Sequence, residues 1–177
     1  MTAAAALGSL APFEAEGLDY LAGMGQDSVY ETRLSLTDEA AARTKLDKDR
    51  AEILAASLEE VAREIESMLT PTDAALQVGA GEFHGFFLSC TKEGLAQGSQ
   101  GWWDDNCMLR PWGFDLADIA VPVLLLHGGQ DVFVPPGHGD CLAKHIPGVE
   151  ARLLDNDGHA TLVNRVPEVH AWLSEHL

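Results

Sequence analysis

An aspartate and a histidine, Asp131 and His159, each follow a short apolar run in the same way. The first run is Val121-Pro122-Val123-Leu124-Leu125-Leu126, continued by His127-Gly128-Gly129-Gln130-Asp131. The second is Ala151-Arg152-Leu153-Leu154, which follows the turn signal Pro147-Gly148 and leads into Asp155-Asn156-Asp157-Gly158-His159. So short an aliphatic run closed by two glycines fits a strand buried on both faces better than a helix. Between the runs, residues 139–146 put Leu142, Ala143 and Ile146 on one face of a short helix. Strand, helix, strand in that order predicts two adjacent parallel strands with a right-handed crossover. Ligands bind outside the carboxyl ends of such strands, so Asp131 and His159 share that edge. An acid and an imidazole placed there have the roles of orienting group and base in a nucleophilic triad.

Taken singly, Asp131 is an ordinary turn acid and His159 an ordinary loop histidine. Their pairing on successive strand ends, each on a glycine-bearing loop, favours the catalytic origin. The run from Val121 to Asp131, with Gly158-His159 after it, resembles the last third of an α/β-hydrolase fold enzyme. In that family the acid follows the seventh strand, the histidine follows the eighth, and the nucleophile precedes both. The resemblance implies that Asp131 orients the imidazole of His159, which would deprotonate a serine.

The serine is not legible. The family's nucleophile sits in a Gly-x-Ser-x-Gly turn between a strand and a helix, and the nearest string is Gln97-Gly98-Ser99-Gln100-Gly101, with glutamine in place of the first glycine. It follows a helical pattern, so Ser99 reads as a loop residue; Ser89-Cys90 falls inside an apolar helical face. A His-Gly-Gly-Gly type oxyanion loop is missing too. The start of the chain, residues 2–13, resembles the family's sixth strand and the loop leading to a cap, although propensity alone would make the alanine run a helix. The expectation is α/β: a partial α/β-hydrolase fold, a short parallel sheet of the family's strands six, seven and eight with a helical cap insertion. Residues 1–12 supply the first strand, 13–109 the cap, and 110–177 the segment carrying the acid and histidine loops.

Within the insertion, residues 14–22 read as a short amphipathic helix and 29–34 as another, capped by Asp27 or Ser28. The longest helical stretch starts after Thr37, with Leu54, Leu58, Val61, Ile65 and Met68 in a clear stripe, and forms one helix or two. Thr70-Pro71-Thr72-Asp73 predicts a capped start of a helix over 71–78, with Asp73 completing a capping box. Residues 82–97 place Phe83, Phe86, Phe87, Cys90, Leu95 and Ala96 on one helical face. Residues 98–101 read as its exit loop, and the segments around Trp102-Trp103 and Pro111-Trp112 lead back to the sheet. Phe86, Trp102 and Trp103, with Phe83 and Phe87, are candidates for an apolar acyl pocket, against the simpler reading of core packing. The tail, 167–177, reads as a terminal helix with Trp172 in the core.

Composition bounds the partners. The 177 residues include 28 acidic and 11 basic side chains, a formal net charge of −17. Such a field disfavours nucleic acid and anionic membrane as partners and favours solubility. Cys90, Cys107 and Cys141 are widely spaced and odd in number, which reads as reduced thiols in a cytoplasmic protein. No signal peptide or spanning stretch is legible. His127 and His138 lie near the same edge, and Asp155-x-Asp157-Gly mimics part of a calcium loop, but Asn164 stands where its glutamate should. No metal and no cofactor are expected. The implied function is the C-terminal part of a serine hydrolase, acting on a small hydrophobic ester or amide and inactive without its serine. The alternative is a noncatalytic binding or assembly module that self-associates or pairs with a missing N-terminal half.

Overall fold

The computed structural model describes residues 2–76 and 80–176, with the side chains of 80–83 outside that description. Its sheet has three parallel strands in the order β1 (Ala4–Leu7), β2 (Val123–Gly128), β3 (Glu150–Leu154). Ala4 pairs with Val123 and Leu7 with Leu126, while Leu124 pairs with Glu150 and Gly128 with Leu154. All six residues of β2 are buried, and their side chains alternate between two cores. Val123 and Leu125 pack with Ala11, Leu116, Leu142 and Ile146, on the side of α7 (Pro136–His145). Leu124 and Leu126 pack with Leu162, Val169 and Trp172, on the side of α8 (Val166–Glu175). Each of these leucines contributes about 1.5–3 kcal/mol by burial, which explains why the aliphatic run is continuous. The alanine run is a strand because β2 pairs with it; tertiary pairing overrides helix propensity.

Between β1 and β2 runs a helical insertion: α1 (Gln26–Thr37), α2 (Glu39–Ala55), α3 (Leu58–Met68), α4 (Pro71–Ala74), α5 (Ala80–Leu95) and α6 (Gln100–Asp104). Several of its elements differ from the sequence reading. Residues 14–22 form successive turns, with Gly17 at φ +79 interrupting any helix. Helix α1 starts earlier than expected and is capped by Gly25, with neither Asp27 nor Ser28 as cap. The long stretch is two helices, divided at Ala56-Ser57, where Ser57 and Glu60 form a capping box. Helix α4 ends at Ala74, and Gln77, Val78 and Gly79, the end of the predicted 71–78 helix, lie outside the described residues.

Helix α5 turns a different face inward from the one its aromatics suggest. His84 and Leu95 are buried and Leu88 is half-buried, whereas Phe86 is 67% exposed and Phe87 and Cys90 are also exposed. Phe86 and Leu95 are nine residues apart, about 180° around a helix, so one face cannot hold both. The 98–101 loop is shorter than read, since α6 begins at Gln100 and carries both tryptophans. Trp103 is buried with Ala42 and Leu46, and the Arg43 guanidinium lies over its ring at 4.2 Å. Among the described residues, no helix is long and apolar enough to cross a membrane.

Candidate active site

The loops after β2 and β3 approach each other so closely that side chains would not fit. A Cβ on Gly128 would lie 2.5 Å from the Asp157 carbonyl oxygen, and one on Gly129 would lie 2.9 Å from the Asp155 Cα. The glycines therefore let backbone meet backbone, and the main chain crosses directly: Gly129 N donates to Leu154 O at 2.8 Å and Gln130 N to Asp157 O at 2.9 Å. This clamp sets the separation of the two chemical groups.

Asp131 is fully buried and bonded at both oxygens. Its Oδ1 accepts from Phe133 N at 2.9 Å and Val134 N at 2.8 Å, and its Oδ2 accepts from His159 Nδ1 at 2.7 Å. The donating Nδ1–H fixes the tautomer and leaves Nε2 with its lone pair, on a side chain that is 41% exposed. The hydrogen bond to Asp131 raises the imidazole above its ordinary pKa, against the lowering effect of burial. The Phe133 ring stands 5.4 Å from the imidazole, and Gly8, at the end of β1 with φ +52, leaves room for it: a Cβ there would meet His159 Nδ1 at 3.1 Å. An oriented imidazole with one open nitrogen on a buried carboxylate is built to take and return a proton.

A second acid belongs to this site and was missed by the sequence reading. Asp73 is 1% exposed. Its Oδ2 accepts from His159 N at 3.2 Å and from Thr70 Oγ1 at 3.1 Å, and its Oδ1 accepts from Thr161 N at 3.0 Å. Thr70 caps α4 as expected, accepting from Asp73 N, but the Asp73 carboxylate turns across to the histidine loop rather than completing a capping box. Thr72 Oγ1 likewise bonds Gln130 on the acid loop. The only signal in sequence is the acid itself, which local capping already accounted for.

The remaining candidates lie elsewhere. Ser99 follows α5 with no strand before it, and its hydroxyl donates to Asp47 at 2.5 Å. Trp102 lines a groove of about 1320 Å³ within the insertion, alongside Ile53, Val61, Ile65 and Leu88; neither Asp131 nor His159 lines it. Trp103 is core, and Phe86 faces outward away from that groove's lining, so the three aromatics do not share one wall. The Phe83 side chain lies outside the described residues. His127 Nε2 donates to Val134 O, and His138 donates from Nε2 to Tyr20 O while its Nδ1 accepts from Ala11 N. These two histidines brace loops, and burial lowers the pKa of His138. Among the described residues no group of three or more His, Cys, Asp or Glu side chains is arranged to hold a metal ion. Asp157 pairs with Arg165 at 2.7 Å across the histidine turn.

No protein-family model matches the chain. A curated pimeloyl-[acyl-carrier protein] methyl ester esterase of Nitrosomonas europaea is 36% identical over 50 residues, 28% of this chain and 20% of the esterase. Among solved structures, a thermophilic esterase from Thermogutta terrifontis matches 80% of this chain with 52% of its own length, at TM-score 0.55 and 22% identity. The esterase RhEst1 from Rhodococcus sp. ECU1013 matches 99% of this chain with 57% of its own, at TM-score 0.50 and 20% identity. The chain thus spans about half the length of these structures and a fifth of the curated relative. A three-stranded parallel sheet with a helical insertion, superposing on part of each, is a partial α/β-hydrolase fold.

Proposed function

We propose that this chain supplies the acid and the base of a serine hydrolase, with Asp131 orienting His159 and the serine supplied from outside these 177 residues. The observation that supports the reading is the 2.7 Å bond from His159 Nδ1 to a carboxylate whose other oxygen is held by two backbone N–H groups. That leaves Nε2 as general base toward a serine hydroxyl and then as acid toward the leaving group. The sequence contains no Gly-x-Ser-x-Gly turn. The substrate class is a small ester or amide; esterases among the similar proteins favour the ester. The helical insertion is its cap, the site of action is the cytoplasm, and no diffusible cofactor is needed for this chemistry.

The test is covalent. The chain alone, exposed to a fluorophosphonate probe and assayed with a p-nitrophenyl ester, should show neither adduct nor turnover. A fluorophosphonate adduct on any of its serines overturns the proposal that the nucleophile lies elsewhere.

A second reading, a noncatalytic assembly module, rests on a different feature. Strand β1 is an edge of the sheet, and its outer side pairs with no described strand. An open edge of this kind is a template for another chain. Size exclusion separates the two readings: self-association of the chain supports the module, and a monodisperse monomer with a single cooperative melt counts against it.

A further inference from the structure

We infer that Asp73 is a positioning residue for His159, holding the imidazole in place by gripping its backbone from the helical insertion; this rests on the proposed reading of His159 as the base. The two ends of the Asp131–His159 bond are anchored differently. The acid end is fixed within its own loop, by Phe133 N and Val134 N. The histidine end has no such local cage. Gly158 N donates to Thr161 Oγ1 at 2.7 Å, and the amides of His159 and Thr161 both point at one carboxylate, that of Asp73, 86 and 88 residues earlier in the chain.

The fit is close. A Cβ on Gly158 would lie 2.5 Å from the Asp73 Cγ, so the carboxylate occupies the space that any side chain at 158 would need. Glycine before the histidine is thus required by Asp73, not by a left-handed backbone. The carboxylate also has no free role in its own helix beyond the bond from Thr70 Oγ1. The two amide donors use different oxygens, His159 N on Oδ2 and Thr161 N on Oδ1. In Asp73→Asn one oxygen becomes an NH2 group facing an amide N–H, a donor against a donor, so one of the two backbone bonds must break. Losing it frees the His159 backbone while Asp131 stays where it is. Nδ1 then leaves Oδ2, and the imidazole reverts toward the tautomer with the proton on Nε2, which cannot act as a base toward a serine.

The experiment reads the tautomer directly, on the intact chain and without any need for activity. Two-bond ¹⁵N–¹H correlation spectra of His159, recorded above the pH where it titrates, should show the Nδ1–H form in the wild type. In D73N that form should be lost, and the His159 and Thr161 amides should exchange about tenfold faster. Gly158→Ala keeps the carboxylate but displaces it, and should have the same spectrum. In a cycle of D73A, G158A and D73A/G158A the methyl of the double variant fills the vacated space, so the losses of stability of the two single variants should be less than additive. If D73N and G158A keep the wild-type tautomer and merely melt earlier, Asp73 is a structural tie and the inference fails. A wild-type His159 with its proton on Nε2 would instead defeat the proposed acid–base pair itself, and the inference with it.

Discussion

Gly128→Ala is the most informative single change, because it tests whether the two loops are held by backbone contact. The new methyl would lie 2.5 Å from the Asp157 carbonyl oxygen and closer still to that of Gly158, where ordinary contact begins at 3.4 Å. Both obstacles are main chain, so the histidine loop must move away by about 1 Å. A movement of that size takes the 2.7 Å bond between His159 and Asp131 beyond hydrogen-bonding distance. It also stretches the bonds from Gly129 N to Leu154 O and from Gln130 N to Asp157 O. Overpacking costs about 1–3 kcal/mol and each of the three cross-loop bonds about 1 kcal/mol, so the loss is about 4–6 kcal/mol. For a chain of this length that lowers the Tm by roughly 10 °C. Differential scanning calorimetry measures the stability, and the His159 ¹⁵N spectrum measures the bond. A G128A protein that melts within 1 °C or so of the wild type and keeps the Nδ1–H tautomer would refute the clamp.

Two histidines should give the stability opposite slopes with pH. The bond from Asp131 raises the native pKa of His159, so its contribution is complete below the unfolded value of about 6.5 and disappears as pH rises through the higher native value. Asp131→Asn should flatten that alkaline decline in a plot of Tm against pH. Burial lowers the native pKa of His138, so its neutral form stabilises the fold above about pH 6.5 and the benefit is lost as pH falls toward the native value. His138→Gln should flatten the acid side, and an unchanged profile in both variants would contradict the assignment. Leu125→Ala, at a fully buried position between two paired strands, should cost about 2–5 kcal/mol in urea denaturation.

Strand β2 was readable because it carries its reason locally, whereas β1 was read from the resemblance and against its own helix propensity. A continuous aliphatic run is what a strand covered on both faces requires, and the alternation of Val123 and Leu125 against Leu124 and Leu126 shows both faces in use. The insertion was less readable, because its helices choose a face by packing against one another. In α5 the aromatic spacing suggested an inward stripe, yet His84, Leu88 and Leu95 are the residues turned in. Hydrophobicity gives a period, but Phe86 and Leu95 on opposite sides of one helix leave its phase to the neighbours. Residues 14–22 failed for a nearer reason: an apolar pattern was given more weight than Gly17 in its middle.

The site shows the same division between local and distant causes. Asp131 and His159 stand out because each closes a strand, and parallel strands bring their carboxyl ends together whatever fills the loops between them. Asp73 has no such frame. It follows a threonine and a proline at the start of a helix, where an acid is already explained by the dipole and the cap, so its sequence context offers no reason to look further. What gives it away is an unexplained acceptor: a carboxylate buried to 1% exposure needs donors, and the four-residue helix that carries it does not supply enough of them. The amides of His159 and Thr161 meet that need, and Gly158 makes the space. The acid in the insertion and the glycine before the histidine are therefore one feature written at two distant places in the chain: the depth of burial of the first is met only at the histidine loop, and the missing side chain of the second is the room that the first needs.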